Sequence, residues 1–78
     1  MSISTAKRAC ATSVRFAKDM MCVHLADGRE ISVPLVWFPR LSSATAAQRA
    51  RWRLIGKGNG IHWSDLDEDV SVAALLDR

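Results

Sequence analysis

The chain has 78 residues, of which 49% are apolar and 24% charged, a composition typical of one small globular domain. A chain of this size buries only about 60% of the surface that it exposes when unfolded, so a deep catalytic pocket is difficult to build. No apolar run reaches the roughly 18 residues that a membrane-spanning helix needs, and residues 1–8 lack the apolar segment of a signal peptide, which predicts a cytoplasmic protein.

The net charge of +3 is unevenly distributed along the chain. Residues 1–57 carry ten Lys and Arg side chains against three acids, whereas residues 58–78 carry five acids against one Arg. This pattern is compatible with a basic surface for an acidic partner, and equally with a fold in which the two ends neutralise each other. The sequence leaves both interpretations open.

The first half of the chain predicts a leader and three strands. Residues 1–12 are small, polar and basic without a period, which indicates a flexible leader before a single domain over residues 13–78. Apolar and polar residues then alternate over residues 14–16, 21–26 and 30–35, which predicts three short β-strands.

Side-chain parity decides the register of the second hairpin. A two-residue loop at Asp27 and Gly28 would put the apolar rows of the two strands on opposite faces. A three-residue loop over residues 26–28, with Gly28 in the left-handed conformation, pairs Met21 with Val33 and brings both rows to one face. We therefore predict the three-residue loop.

The second half predicts short helices and a further strand. Thr45 and Gln48 have the spacing of a capping box, which predicts a helix through residue 51 or 52, and residues 54 and 55 either extend it or begin a strand. Residues 61–63 predict a strand, residues 65–69 an acidic loop, and residues 72–76 a final helix capped by Ser71 or Asp69. The expected fold class is α+β, a small antiparallel sheet of three to five strands with short helices packed on one face.

Two local patterns resemble ligand loops without meeting their requirements. The glycine-rich residues 56–60 place Lys57 too early for a phosphate-binding loop, and a predicted strand follows instead of a helix. The acids of residues 65–69 lack the Gly and Glu of a calcium loop, because those positions fall on Val70 and Leu76. We expect no metal, no cofactor and no catalytic residue set.

Aromatic and basic residues define a candidate partner-binding surface. Pro39 restricts Phe38 to an extended conformation, which makes residues 37–39 a rigid corner, and we expect Trp37 to be partly exposed there while Trp52 and Trp63 enter the core. Arg49 and Arg53 are predicted to share a helical face. The complete candidate surface is Trp37, Phe38, Arg40, Arg49, Arg51 and Arg53.

The same arginines are compatible with nucleic-acid binding, although the chain shows no helix-turn-helix pair. A third hypothesis is a small-ligand site built from His62, Trp63 and Asp65, in which His62 acts with Asp65 or Asp67 on a ligand or metal. Its structural alternative is a His62 that packs with one ring nitrogen hydrogen-bonded inside the protein.

Four segments of the chain carry a family resemblance. They are the turn at residues 27–30, the block at residues 31–41, the segment at residues 48–56 and the Gly-Ile-His-Trp motif with its acids at residues 60–69. In this order they resemble DUF2442, a family of short bacterial proteins of unknown function; Ser64 stands where the family usually has Pro.

The resemblance implies a compact α+β domain. It also implies a protein partner, because many members look like one half of a toxin–antitoxin gene pair and some relatives join the domain to a DNA-binding module. We therefore expect a non-enzymatic interaction module, antitoxin-like or inhibitor-like, that binds the toxin-like or defence-related product of an adjacent gene. The alternative is a nucleic-acid-binding accessory protein that uses the Arg cluster.

Overall fold

The computed structural model describes residues 10–76, which form two three-stranded antiparallel sheets and short helices. The first sheet has the order β1 (Ala11–Ala17), β2 (Met20–Leu25), β3 (Glu30–Pro34), and the second has the order β4 (Trp52–Ile55), β5 (Gly60–Trp63), β6 (Glu68–Ser71). The helices are α1 (Pro39–Ser42), α2 (Ala46–Arg49) and α3 (Val72–Leu76), and 3-10 turns lie at Leu35–Trp37 and Gly56–Gly58.

The α+β class is confirmed, but the prediction of a single sheet is wrong, and the helices pack less clearly on one sheet face than predicted. The described strands divide between two sheets, and the helices contact several elements instead of covering one face. The edges β1 and β4 lie near each other, and α3 contacts both β6 and β3. No helix in the part of the chain that the structure describes is long and apolar enough to cross a membrane.

The hairpin of β2 and β3 has the predicted register. Met21 lies opposite Val33 and Val23 opposite Ile31, and the Leu25 amide donates to the Arg29 carbonyl at 2.8 Å. Gly28 has φ 96°, the left-handed conformation that a three-residue loop requires. Met21, Val23 and Leu25 of β2 and Val33 of β3 are buried, so the apolar residues of both strands face the core as predicted.

The first strand begins earlier than the sequence indicated. β1 starts at Ala11, which is buried, so residues 11 and 12 belong to the sheet although they were included in the predicted leader. The rest of that leader, residues 1–9, lies outside the described residues, as do residues 77 and 78. β1 turns into β2 through Lys18, whose φ of 54° is left-handed.

The central helix is shorter than predicted. The capping box is confirmed, because the Gln48 amide donates to the Thr45 hydroxyl and the Thr45 amide donates to the Gln48 side chain. However, α2 ends at Arg49, and β4 begins at Trp52. In β4, Trp52 and Leu54 lie on one face with Arg53 on the other, and Trp52 packs against the core as a half-buried residue while Leu54 is exposed.

Two further turns shape the second sheet. Gly56, Lys57 and Gly58 all have positive φ, so the glycine run forms a tight connection between β4 and β5. The acidic segment is only partly a loop, since residues 64–67 form the turn and Glu68 already begins β6. The final helix occurs as predicted, and Ser71 Oγ accepts a hydrogen bond from the Ala74 amide.

The core lies between the inward faces of the two sheets. Met21, Val23, Ile61 and Trp63 are fully buried there. The Phe16 and Trp63 rings meet edge to face with their centroids 6.4 Å apart, which links β1 to β5.

Candidate functional site

The aromatic corner is a tight turn with one buried anchor and two outward side chains. Leu35 is buried, and its amide donates to the Asp19 carbonyl at 2.8 Å. The Phe38 amide donates back to the Leu35 carbonyl at 2.8 Å, which closes the turn. Val36 and Trp37 then point outward with exposed fractions of 70% and 44%.

Arg40 fixes this corner to the second sheet. Pro39 is the first residue of α1, and Arg40 follows it with its side chain exposed. Its Nη1 donates to the backbone carbonyl of Asp67, in the turn between β5 and β6. Of the three residues predicted here, Trp37 and Arg40 are exposed and Phe38 is half-buried.

Arg49 is committed to contacts inside the protein. Its Nε donates to the Leu41 carbonyl at 2.8 Å and its Nη2 to the Ser42 carbonyl at 3.0 Å. Its guanidinium carbon lies 5.9 Å from the centroid of the Phe16 ring. Arg49 thus joins α2 to α1 and the core, instead of standing on an open helical surface.

The other two arginines lie after the helix. Arg51 forms an ion pair with Asp65, and Arg53 lies on β4 opposite His62. The prediction that Arg49 and Arg53 share a helical face is wrong, because β4 has replaced the second turn of that helix. The Arg51–Asp65 ion pair joins the basic part of the chain, residues 1–57, to its acidic part, residues 58–78. At this pair the two parts neutralise each other within the fold.

The three residues of the candidate ligand site do not meet at one surface. Successive residues of a strand point to opposite faces, so His62 and Trp63 diverge. Trp63 is fully buried, and its Nε1 donates to the Arg49 carbonyl at 3.0 Å. Asp65 is paired with Arg51 instead.

His62 takes a different carboxylate from the ones considered. Its Nδ1 is hydrogen-bonded to Asp69, which lies directly across from it on β6. One ring nitrogen is therefore engaged inside the protein, as in the structural alternative. Among the residues that the structure describes, no three His, Cys, Asp or Glu side chains are grouped to hold a metal ion.

Sequence reasoning missed a cavity of about 400 Å³ between β1, α2 and the start of β4. Phe16 and Trp52 line it together with the cationic side chains of Lys18 and Arg49. These four residues span 37 positions of the chain, and no local motif connects them. Only the folded arrangement brings them together.

Solved structures with the same fold come from two bacteria. A crystal structure of a protein of unknown function from Rhodospirillum rubrum has 27% sequence identity and a TM-score of 0.75, over 87% of this chain and 84% of that one. A solution structure of an uncharacterised protein from Chromobacterium violaceum has 23% identity and a TM-score of 0.78, over 97% of this chain and 72% of that one. The second likeness, at this identity, shows the fold alone.

Family membership follows from a match over nearly the whole described chain. No curated protein matches the sequence. The model of a family described as "Protein of unknown function (DUF2442)" matches residues 11–78, which include all six strands and the three helices. This chain therefore belongs to the DUF2442 family.

Proposed function

We propose that the chain is a non-enzymatic, antitoxin-like or inhibitor-like module that binds a protein partner through the corner of Trp37, Phe38 and Arg40. The observation that supports this most is the exposure of Val36 and Trp37, at 70% and 44%, side by side on one turn. Tryptophan and arginine are the residue types most enriched at the energetic centres of protein interfaces. Val36 and Trp37 are the two most exposed of the large apolar residues in the described chain, and exposed apolar patches are typical of protein-interaction sites.

The corner is also held in place before any partner arrives. Hydrogen bonds from the Leu35 amide to Asp19 and from the Phe38 amide to Leu35 fix the turn, and the bond from Arg40 to Asp67 ties it to the second sheet. A surface that is ordered in advance loses less conformational entropy on binding than a loose loop does. Trp37 would act as the apolar anchor and Arg40 as a charged contact at its rim.

The remaining arginines fit an accessory role. Arg51 and Arg53 are exposed, and they would favour an acidic partner surface and accelerate encounter with it. Arg49 would contribute indirectly by holding α2 against α1. The partner we propose is the product of an adjacent gene, of a toxin-like or defence-related kind.

The test is a co-purification of the chain with the product of the adjacent gene, followed by titration calorimetry. Trp37→Ala combined with Arg40→Ala should weaken the complex about 1,000-fold, because two hot-spot residues that each contribute about 2 kcal/mol together contribute about 4 kcal/mol. Arg15→Ala combined with His24→Ala is the matched control, since both residues are exposed on the first sheet, away from the corner. Equal affinity of the corner variant and the wild type would show that this surface is wrong.

Nucleic-acid binding through the Arg cluster is the alternative function, and the charge contacts favour it less. Arg49 donates to two backbone carbonyls, and Arg51 is paired with Asp65. A nucleic-acid phosphate would have to displace Asp65 from Arg51, and Arg49 has only three of its five N–H donors left to offer. Mobility-shift titrations with duplex and single-stranded DNA and RNA test it, because such binding must weaken steeply as salt rises.

A further inference from the structure

The cavity between β1 and α2 has walls of two kinds. Phe16 and Trp52 form its aromatic side, and Lys18 and Arg49 form its cationic side. Ala46 and Ala50, in and after α2, also line the cavity, and their small side chains leave room in it. The volume of about 400 Å³ lies within the usual range of small-molecule sites. No carboxylate is among the described residues that line it.

The aromatic walls are fixed by the core. The Phe16 ring rests edge-on against Trp63, and Trp52 lies opposite Trp63 in the β4–β5 pairing. Trp63 is itself fully buried and bonded to the Arg49 carbonyl. Both aromatic residues of the cavity are therefore neighbours of the same buried indole, and the aromatic wall adjoins the core.

The cationic walls are also constrained. The two hydrogen bonds of Arg49 to Leu41 and Ser42 use two of the five N–H donors of its guanidinium and leave the group facing the cavity. Lys18 occupies a left-handed turn position with φ 54°, where Asn or Gly is the more usual residue. The exposed Lys18 adds a second positive charge to a site that already contains the hydrogen-bonded guanidinium of Arg49.

We propose that this cavity binds a small organic anion with a planar apolar body. The ring would lie between Phe16 and Trp52, and a carboxylate or phosphate would meet Lys18 and Arg49, whose guanidinium can bind either group with two hydrogen bonds. Trp37, Phe38 and Arg40 are not among the residues that line the cavity, so ligand binding there does not rest on the proposed partner binding. The two hypotheses fail independently.

The binding experiment uses the full chain and follows backbone amide shifts by NMR during titration with 1-naphthoate. Saturable shifts at residues around the cavity are expected. The neutral 1-naphthalenemethanol should bind at least about tenfold more weakly, because a charge-assisted hydrogen bond contributes more than a neutral one. Adenosine monophosphate forms the second arm, and tighter binding of it would identify an aromatic phosphate as the ligand in place of an aromatic carboxylate.

Paired substitutions separate the cavity from the rest of the surface. Ala50→Leu narrows the cavity and should weaken binding at least about tenfold, whereas Ala47→Leu changes an exposed residue of α2 that does not line it and should leave binding intact. Lys18→Asn should weaken binding about tenfold, since it removes one charged hydrogen-bond donor. Lys57→Asn is its control, because Lys57 has nearly the same left-handed φ, 58°, outside the cavity.

Three results would each overturn the proposal. They are unchanged affinity of the Ala50→Leu variant, equal affinity of the neutral and anionic naphthalene compounds, and no saturable shift with either 1-naphthoate or adenosine monophosphate at millimolar concentration.

Discussion

The indole Nε1 of Trp63 donates a hydrogen bond of 3.0 Å to the backbone carbonyl of Arg49. This bond joins the second sheet to the end of α2, from which the Arg49 side chain reaches back to α1. The buried Trp63 side chain therefore packs in the core and also holds the backbone of Arg49, which lines the cavity.

Replacing this indole should reveal the value of the bond. Trp63→Phe keeps an aromatic ring but leaves the Arg49 carbonyl without its donor, and it should lower the free energy of unfolding by about 1 to 3 kcal/mol for the lost bond, in addition to the cost of the space that the smaller ring leaves in the core. Urea denaturation followed by circular dichroism measures this loss. Trp52→Phe, on the half-buried partner of Trp63 in the neighbouring strand, should cost less, and an equal or greater loss there would contradict this role of the Trp63 bond.

Alanine substitutions at two glycines with nearly equal φ distinguish the cost of backbone strain from the cost of a steric clash. Gly28 and Gly58 have φ of 96° and 93°, so an alanine at either position adopts a strained left-handed conformation, at about 1 to 2 kcal/mol. A Cβ on Gly28 meets nothing within 4 Å, whereas one on Gly58 would lie 2.7 Å from the Ala11 carbonyl oxygen. Gly58→Ala should therefore be more destabilising than Gly28→Ala by at least about 1 kcal/mol, because the close contact forces β1 to shift.

Thermal unfolding of the two variants under the same conditions measures the difference. If the two alanine variants unfold at the same temperature, the contact between the Gly56–Gly58 turn and β1 is looser than the structure shows.

Local structure was predicted correctly from the sequence where a single stereochemical rule allowed only one arrangement. The parity of the apolar rows left one register for the β2–β3 hairpin, and the spacing of Thr45 and Gln48 left one start for α2. Both rules act within a few residues and need no knowledge of the rest of the chain. They were accordingly correct.

The sequence failed where distant segments decide the outcome. Trp52 and Leu54 alternate with Arg51 and Arg53, a strand pattern, but the helix signal immediately before it extended the predicted helix over them. β6 was missed because it has only one buried residue, Val70, among acids and serine. The register of β5 with β6 decides which carboxylate hydrogen-bonds to His62. It places Asp69 opposite His62, so the partner is Asp69 and not Asp65 or Asp67.

The capping box offers a direct test of how far α2 depends on its first turn. Thr45→Ala removes the hydroxyl that accepts from the Gln48 amide at 3.1 Å, and it should cost about 1 kcal/mol. Thr45→Ser retains the acceptor and should change the stability much less. Comparable losses for the two variants, measured by urea denaturation, would mean that the Thr45 methyl group and not its hydroxyl stabilises this end of the helix.

The hairpin loop should make the stability of the protein depend on acid pH. A hydrogen bond from the Arg29 side chain, supported by one from the Arg29 amide, holds the pKa of Asp27 below its ordinary value of 3.8. Because this pKa is lower in the folded state than in the unfolded state, ionised Asp27 stabilises the fold above its ordinary pKa. That contribution is lost as the pH falls through the folded-state pKa.

Two measurements check this linkage. In an NMR titration, the Asp27 carboxyl carbon should have its midpoint below 3.8, and Arg29→Gln should raise that midpoint because it removes the charged donor. The difference in unfolding free energy between the wild type and Asp27→Asn should also shrink as the pH is lowered from about 5 to about 2. A midpoint above 3.8, or a difference that stays constant over that pH interval, would show that the pairing of Asp27 with Arg29 does not stabilise the folded hairpin.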